Sequence, residues 1–165
     1  MKDMPSNMLG AGYPIAAEAF DLKVYQLACT FAASREIARL AKTHPGLQQL
    51  SSVFQLSEAA RRLIAVAAMA RSAMDTWSST AYEKKLTNTV GSLCPDVERP
   101  KEQVGLAFRE ACNKIIHADD MELLAEENDA DVLRYDVVLD GEKRDRPWRA
   151  YLNVVTFLEV AAHVV

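Results

Sequence analysis

Asp119-Asp120-Met121-Glu122-Leu123-Leu124-Ala125-Glu126-Glu127-Asn128-Asp129-Ala130-Asp131 runs straight into Val132-Leu133-Arg134-Tyr135-Asp136-Val137-Val138-Leu139, and the reading of this junction decides the fold. The first segment is crowded with Asp119, Asp120, Glu122, Glu126, Glu127, Asp129 and Asp131, and reads as a solvated linker or a frayed helix. The second has the β-branched and aromatic enrichment of a strand. Asp140–Gly141 opens a turn, and Trp148 to Leu152 returns as a second strand. A lone two-stranded hairpin is marginal in water, so a hairpin over residues 132–152 has to pack on helices. Asn153 then suits the cap of a closing helix through Phe157, Val160 and Ala161.

Upstream the apolar period is helical. From Ile15 to Thr43, Phe20, Val24, Leu27 and Phe31 make one stripe, with Arg39 and Lys42 in the last turn and Pro45–Gly46 as a stop. Leu47 to Leu56 has no clean period. Ser57 is a candidate cap for a second helix that buries Leu63, Ile64, Ala67 and Met74. Ser78 to Leu93 continues it weakly after a break near Trp77–Ser79. Pro100 fits the first turn of a third helix, which runs to about Ala118 with Val104, Phe108, Ala111 and Ile115 as its core stripe.

The expected fold is therefore mainly α: an antiparallel helical bundle with a small C-terminal β-hairpin. Residues 1–13 are read as a flexible tail, since they mix Pro5, Gly10 and Gly12 with small residues. Residues 14–165 form a single domain.

Composition narrows the classes of function. Half of the 165 residues are hydrophobic, a quarter are charged, and the formal net charge is −4. That balance argues against non-specific coating of nucleic acid, which runs on Lys and Arg neutralising phosphates, but leaves room for a local basic site. No run of 18 apolar residues marks a membrane span, and no signal peptide is evident. Cys29, Cys94 and Cys112 are odd in number and lack zinc-ligand spacing, so free thiols in a reducing, cytoplasmic setting are expected. No metal or cofactor is implied.

The stretch with chemical potential is Arg109-Glu110-Ala111-Cys112-Asn113-Lys114-Ile115-Ile116-His117-Ala118. On a helix, Arg109, Asn113 and His117 drift by about 40° per four-residue step and form one polar stripe, flanked by Glu110 and Lys114. Arginine can hold a phosphate with its planar fork. Histidine titrates near neutrality and can move a proton. Asparagine can orient either of them or a bound water. The same residues also suit the solvated side of an amphipathic helix, and His117 suits the negative end of the helix dipole. In the hairpin, Arg144, Arg146, Trp148 and Arg149 have a composition that can grip phosphate and stack a base, but Asp140, Glu142 and Asp145 dilute their charge, and the reading preferred is a solvated hairpin tip.

The Arg109…Asn113-Lys114-Ile115-Ile116-His117-Ala118 run, set after three helices, resembles the HEPN superfamily of small helical bundles. Within that superfamily it more closely resembles a group of uncharacterised bacterial HEPN-like proteins bearing a similar Asn-Lys-Ile-Ile-His-Ala run. The resemblance covers residues 15–165 in layout and about ten residues in specific sequence. It implies an RNA-binding protein or a metal-independent endoribonuclease acting as a homodimer, in which two motifs build one site. His117 would be the acid/base, Arg109 would hold the scissile phosphate, and Asn113 and Lys114 would contact substrate. The alternative is a non-catalytic interaction module of a defence, counter-defence or toxin–antitoxin system, with a protein partner for its acidic surface.

Overall fold

Helix α1, Ala17–Ala41, buries Phe20, Val24, Leu27, Phe31, Ser34 and Ala38, the stripe set by its helical period. The computed structural model describes residues 17–76 and 87–164, so the expected tail and the break near Trp77–Ser79 lie outside the described residues. The ring of His44 caps the end of α1, with Nδ1 2.9 Å from the Leu40 carbonyl. Helix α2, Pro45–Thr76, then starts at once. Pro45 opens this helix as well as ending the last, because its fixed φ suits a first turn and no donor is lost there. Ser57 lies inside α2, and its hydroxyl donates to the Phe54 carbonyl at 3.1 Å.

The chain then departs from the expected bundle. Thr89–Cys94 is strand β1 and Val104–Ala107 is strand β2, with a 3₁₀ turn at Pro100–Glu102 between them. Helix α3 is confined to Phe108–Ile116. The acidic segment is strand β3, Asp120–Glu126, followed by β4, Asp129–Glu142, β5, Pro147–Asn153, and helix α4, Val154–Ala161. The strands form one antiparallel sheet in the order β2-β1-β5-β4-β3. The protein is thus an α+β fold with a five-stranded sheet, and the mainly α bundle with a small hairpin is overturned.

The physical reasons are specific. Phe108, Ala111 and Ile115 are buried as the period requires, but Val104 is exposed. Its phase with the helix is accidental, because Val104 pairs with Leu93 on the edge of the sheet. In β3 the acids Asp120 and Glu122 face solvent while Met121 and Leu123 pack against the core. The high charge therefore masks an ordinary period of two. Acidic side chains on an edge strand also discourage pairing with another chain.

The centre of the sheet alternates cleanly. Trp148, Ala150 and Leu152 point into the core while Arg149 and Tyr151 point out. The helices gather on the inward face. Phe108 of α3 meets Phe157 of α4 with ring centroids 5.0 Å apart, and the Leu133 amide of β4 donates to the Ser34 hydroxyl of α1 at 3.2 Å. Asn153 caps α4 as the sequence predicts: its Oδ1 accepts from the Thr156 amide at 2.9 Å. The β4–β5 turn is displaced from the expected Asp140–Gly141. Gly141 pairs with Trp148 inside the hairpin, and the turn falls at Lys143–Arg146, closed by backbone bonds of 3.0 and 3.2 Å. No helix among the described residues is long and apolar enough to cross a membrane.

Candidate anion-binding cleft and hairpin tip

Helix α3 is short and amphipathic, and it lies between α2 and the β4–β5 hairpin. Its buried side, Phe108, Ala111, Cys112 and Ile115, fixes its rotation. That rotation turns Arg109 and Asn113 toward α2, and Lys114 toward the hairpin. Burial pushes the Cys112 thiol up to about 12, so it stays protonated and unreactive at neutral pH.

The α2 side is a closed ion-pair network. Asp75 accepts from Arg109 Nη2 at 2.8 Å and also from Arg71. Arg71 Nε donates to Asn113 Oδ1 at 2.9 Å. Asn113 Nδ2 is 3.4 Å from Glu110 Oε2. Arg71, which the sequence places on an exposed helix face, and Asp75 come from a distant part of the chain and were not assigned to the site by the sequence. No local spacing connects them to α3.

The hairpin side is a cleft of about 580 Å³ lined by Glu110, Asn113, Lys114, His117, Glu142, Lys143 and Trp148. Lys114 is almost wholly buried, with Nζ 3.8 Å from the centroid of the Trp148 ring and 3.7 Å from Glu110 Oε1. Burial lowers its pKa, Glu110 opposes that shift, and the like charge of Lys143 adds to it. Gly141 makes room for this arrangement, since a Cβ there would run into the Trp148 ring.

His117 is the C-cap of α3. Its amide donates to the Asn113 carbonyl at 3.0 Å, its side chain is exposed, and among the described residues its ring has no hydrogen-bond partner. Of the four expected site residues, the fold brings Asn113, Lys114 and His117 to one cleft. Arg109 is not in it. It sits about 12 Å along the helix axis from His117 and is held by Asp75.

The hairpin residues divide in a way the sequence did not foretell. Arg149 is bound to Asp140 by two hydrogen bonds of 2.7 and 2.9 Å, and Trp148 is buried under Lys114, so neither is offered to a ligand. Arg144 and Arg146 are the opposite case. Every other described arginine reaches a carboxylate: Arg35 on Glu126, Arg39 on Glu36, Arg61 and Arg62 on Glu58, Arg71 and Arg109 on Asp75, Arg99 on Asp96, Arg134 on Asp136 and Arg149 on Asp140. Among the described residues, the side chains of Arg144 and Arg146 pair with none, and neither does Lys143 beside them. These three line a concavity of about 360 Å³ together with Pro95.

Lys143 lines both concavities, so the tip and the cleft are adjoining parts of one surface. The turn holds Arg144 at φ 55° and Asp145 at φ 60°. Two such residues make the type I′ turn of a tight hairpin, a position that favours Asn and Gly. A left-handed φ costs a non-glycine residue about 1 kcal/mol, and the tip keeps an arginine there.

A scan against protein-family models finds no match, and no curated protein or solved structure matches either.

Proposed function

We propose that this protein binds RNA, gripping backbone phosphates with Lys143, Arg144 and Arg146 and presenting His117 to the strand in the adjoining cleft. The observation that carries the reading is that, among the described residues, the two arginines without a carboxylate partner stand together at this one place in a net acidic chain. Guanidinium groups free of carboxylates are ready to hold phosphates at no cost in broken ion pairs. The α3 run that resembles the HEPN superfamily supplies the reason to name RNA, although the bundle that this resemblance implied is replaced by the sheet.

Cleavage by the 2′-OH route needs a proton acceptor and a cation at one phosphate. As acceptor, His117 takes the hydroxyl proton while the 2′-oxygen bonds to phosphorus, and the P–O5′ bond breaks with a proton from water, giving a 2′,3′-cyclic phosphate and a free 5′-hydroxyl. Lys114 and Lys143 stand nearer to that role than Arg109, whose fork is engaged by Asp75. The engagement of Arg109 favours binding over turnover, and so favours a non-catalytic RNA-binding relative.

The test is fluorescence anisotropy of a labelled RNA oligonucleotide with wild type, the Lys143→Ala/Arg144→Ala/Arg146→Ala variant and His117→Ala. The expected result is salt-sensitive binding, weakened about 100-fold in the triple variant and little changed in His117→Ala. Equal binding by wild type and triple variant would sink the reading. Cleavage of the same RNA by wild type, read on a denaturing gel and lost in His117→Ala while binding is kept, would make the protein a ribonuclease.

A further inference from the structure

The other end of the helical pair carries a different surface. From Pro45 to Ser57, α2 has no charged residue, and most of this half is exposed. Leu47, Leu50 and Phe54 follow helical spacing, with Val53 beside them and Ile37 of α1 across a groove; these five are 36–59% exposed. The groove holds about 450 Å³ and is lined further by Ala33 and Ser51. Together the five leave on the order of 400 Å² of apolar surface open, within the range of the largest patch on a typical monomer and about half of one partner's share of a standard interface.

We infer that a second copy of this chain covers the surface, the two α1–α2 hairpins packing as a four-helix bundle about a two-fold axis. The choice of occupant follows from charge. A two-fold contact sets each patch against itself, so a charged patch meets its own charge. The chain carries a net charge of −4, and copies repel over most of the surface. The Pro45–Ser57 stretch escapes that repulsion, and Glu58, the one charged residue that lines the groove, is already paired with Arg61 and Arg62, which leaves little counter-charge for a charged ligand. Leucine and phenylalanine at three- and four-residue intervals are the knobs that antiparallel helix pairs interdigitate.

The inference is independent of the RNA reading, and it constrains that reading. About 37 Å of helix separates Leu50 from Asp75 beside α3. A dimer built here holds its two His117 clefts apart, so each cleft acts alone.

Light scattering on the full chain, with reductant present because Cys29 is exposed, tests the inference. Wild type is expected at twice the chain mass of 18.3 kDa. Leu50→Glu/Phe54→Glu, and separately Ala33→Arg across the groove, are expected at the monomer mass with unchanged circular dichroism and unchanged RNA binding. A monomeric wild type overturns the inference, including one monomeric because a different protein covers the groove. A dimer that survives in either folded variant overturns it as well.

Discussion

Two groups of cations flank α3, and they are opposites. On the α2 side, Arg71 and Arg109 share Asp75 and lock α3 to α2. On the hairpin side, Lys143, Arg144 and Arg146 stand on a turn that holds Arg144 and Asp145 at left-handed φ. The first group is neutralised inside the molecule, and the second, among the described residues, meets no carboxylate. Sequence neighbours do not separate the two cases. Arg149, three residues from Arg146, is neutralised by Asp140, which faces it across the strand pair.

The contrast can be broken at several points. The largest effect is expected at Gly141→Val. The new side chain collides with the Trp148 ring and unseats Lys114, and a loss of about 3 kcal/mol in urea denaturation is expected. A loss under about 1 kcal/mol would mean that the cleft wall is pliable. Next, Asp75→Ala removes the shared carboxylate and turns paired arginines into unpaired ones. RNA affinity should rise about five-fold in a binding titration, at a modest cost in stability because the pairs are partly exposed. No rise would show that position, not pairing, sets which cations contact phosphate.

Arg144→Asn with Asp145→Gly gives the turn the residues it favours. The melting temperature should rise by an amount worth about 1 kcal/mol, while RNA binding weakens about three-fold. Gain without weakening would assign the arginine no ligand.

The smallest effect concerns Lys114. Burial and Lys143 hold its folded pKa below the ordinary 10.5. The unfolded chain therefore binds more protons over the interval between the folded pKa and 10.5, and stability rises with pH there. Lys114→Met should erase that rise, which is under about 1 kcal/mol, when urea midpoints are compared between neutral and alkaline pH. A rise that persists would place its source elsewhere.

What was legible in the sequence was whatever one element decides alone. The α1 stripe, the alternation of Trp148, Ala150 and Leu152, and the Asn153 cap all follow from local period and local hydrogen bonding. The β1, β2 and β3 strands did not. Gly91 and Gly105 weaken the strand pattern where backbones and side chains crowd, for a Cβ on Gly91 would meet the Tyr151 carbonyl. Acids on the outward face of β3 imitate a linker. At the site, helical spacing sets Arg109, Asn113 and His117 on one stripe with Lys114 beside it, but it cannot report that Arg109 is claimed by Asp75 on another helix. Nor can it report that Arg144 and Arg146 are the arginines left unclaimed, because that depends on which carboxylates the fold brings within reach.

The place of β5 in the sheet has a consequence for assembly. It lies between β1 and β4 and is the last strand in chain order. Until it emerges from the ribosome, the β1–β2 and β3–β4 pairs have nothing to join them, and Gly91 has to wait for Leu152 far along the chain. Tight closure of the Lys143–Arg146 turn delivers β5 onto β4 within a local hairpin, and the distant β1 docks afterwards on an edge already built. The turn that holds Arg144 and Arg146 is thereby also the keystone of folding order, so its backbone strain is felt in the speed of maturation.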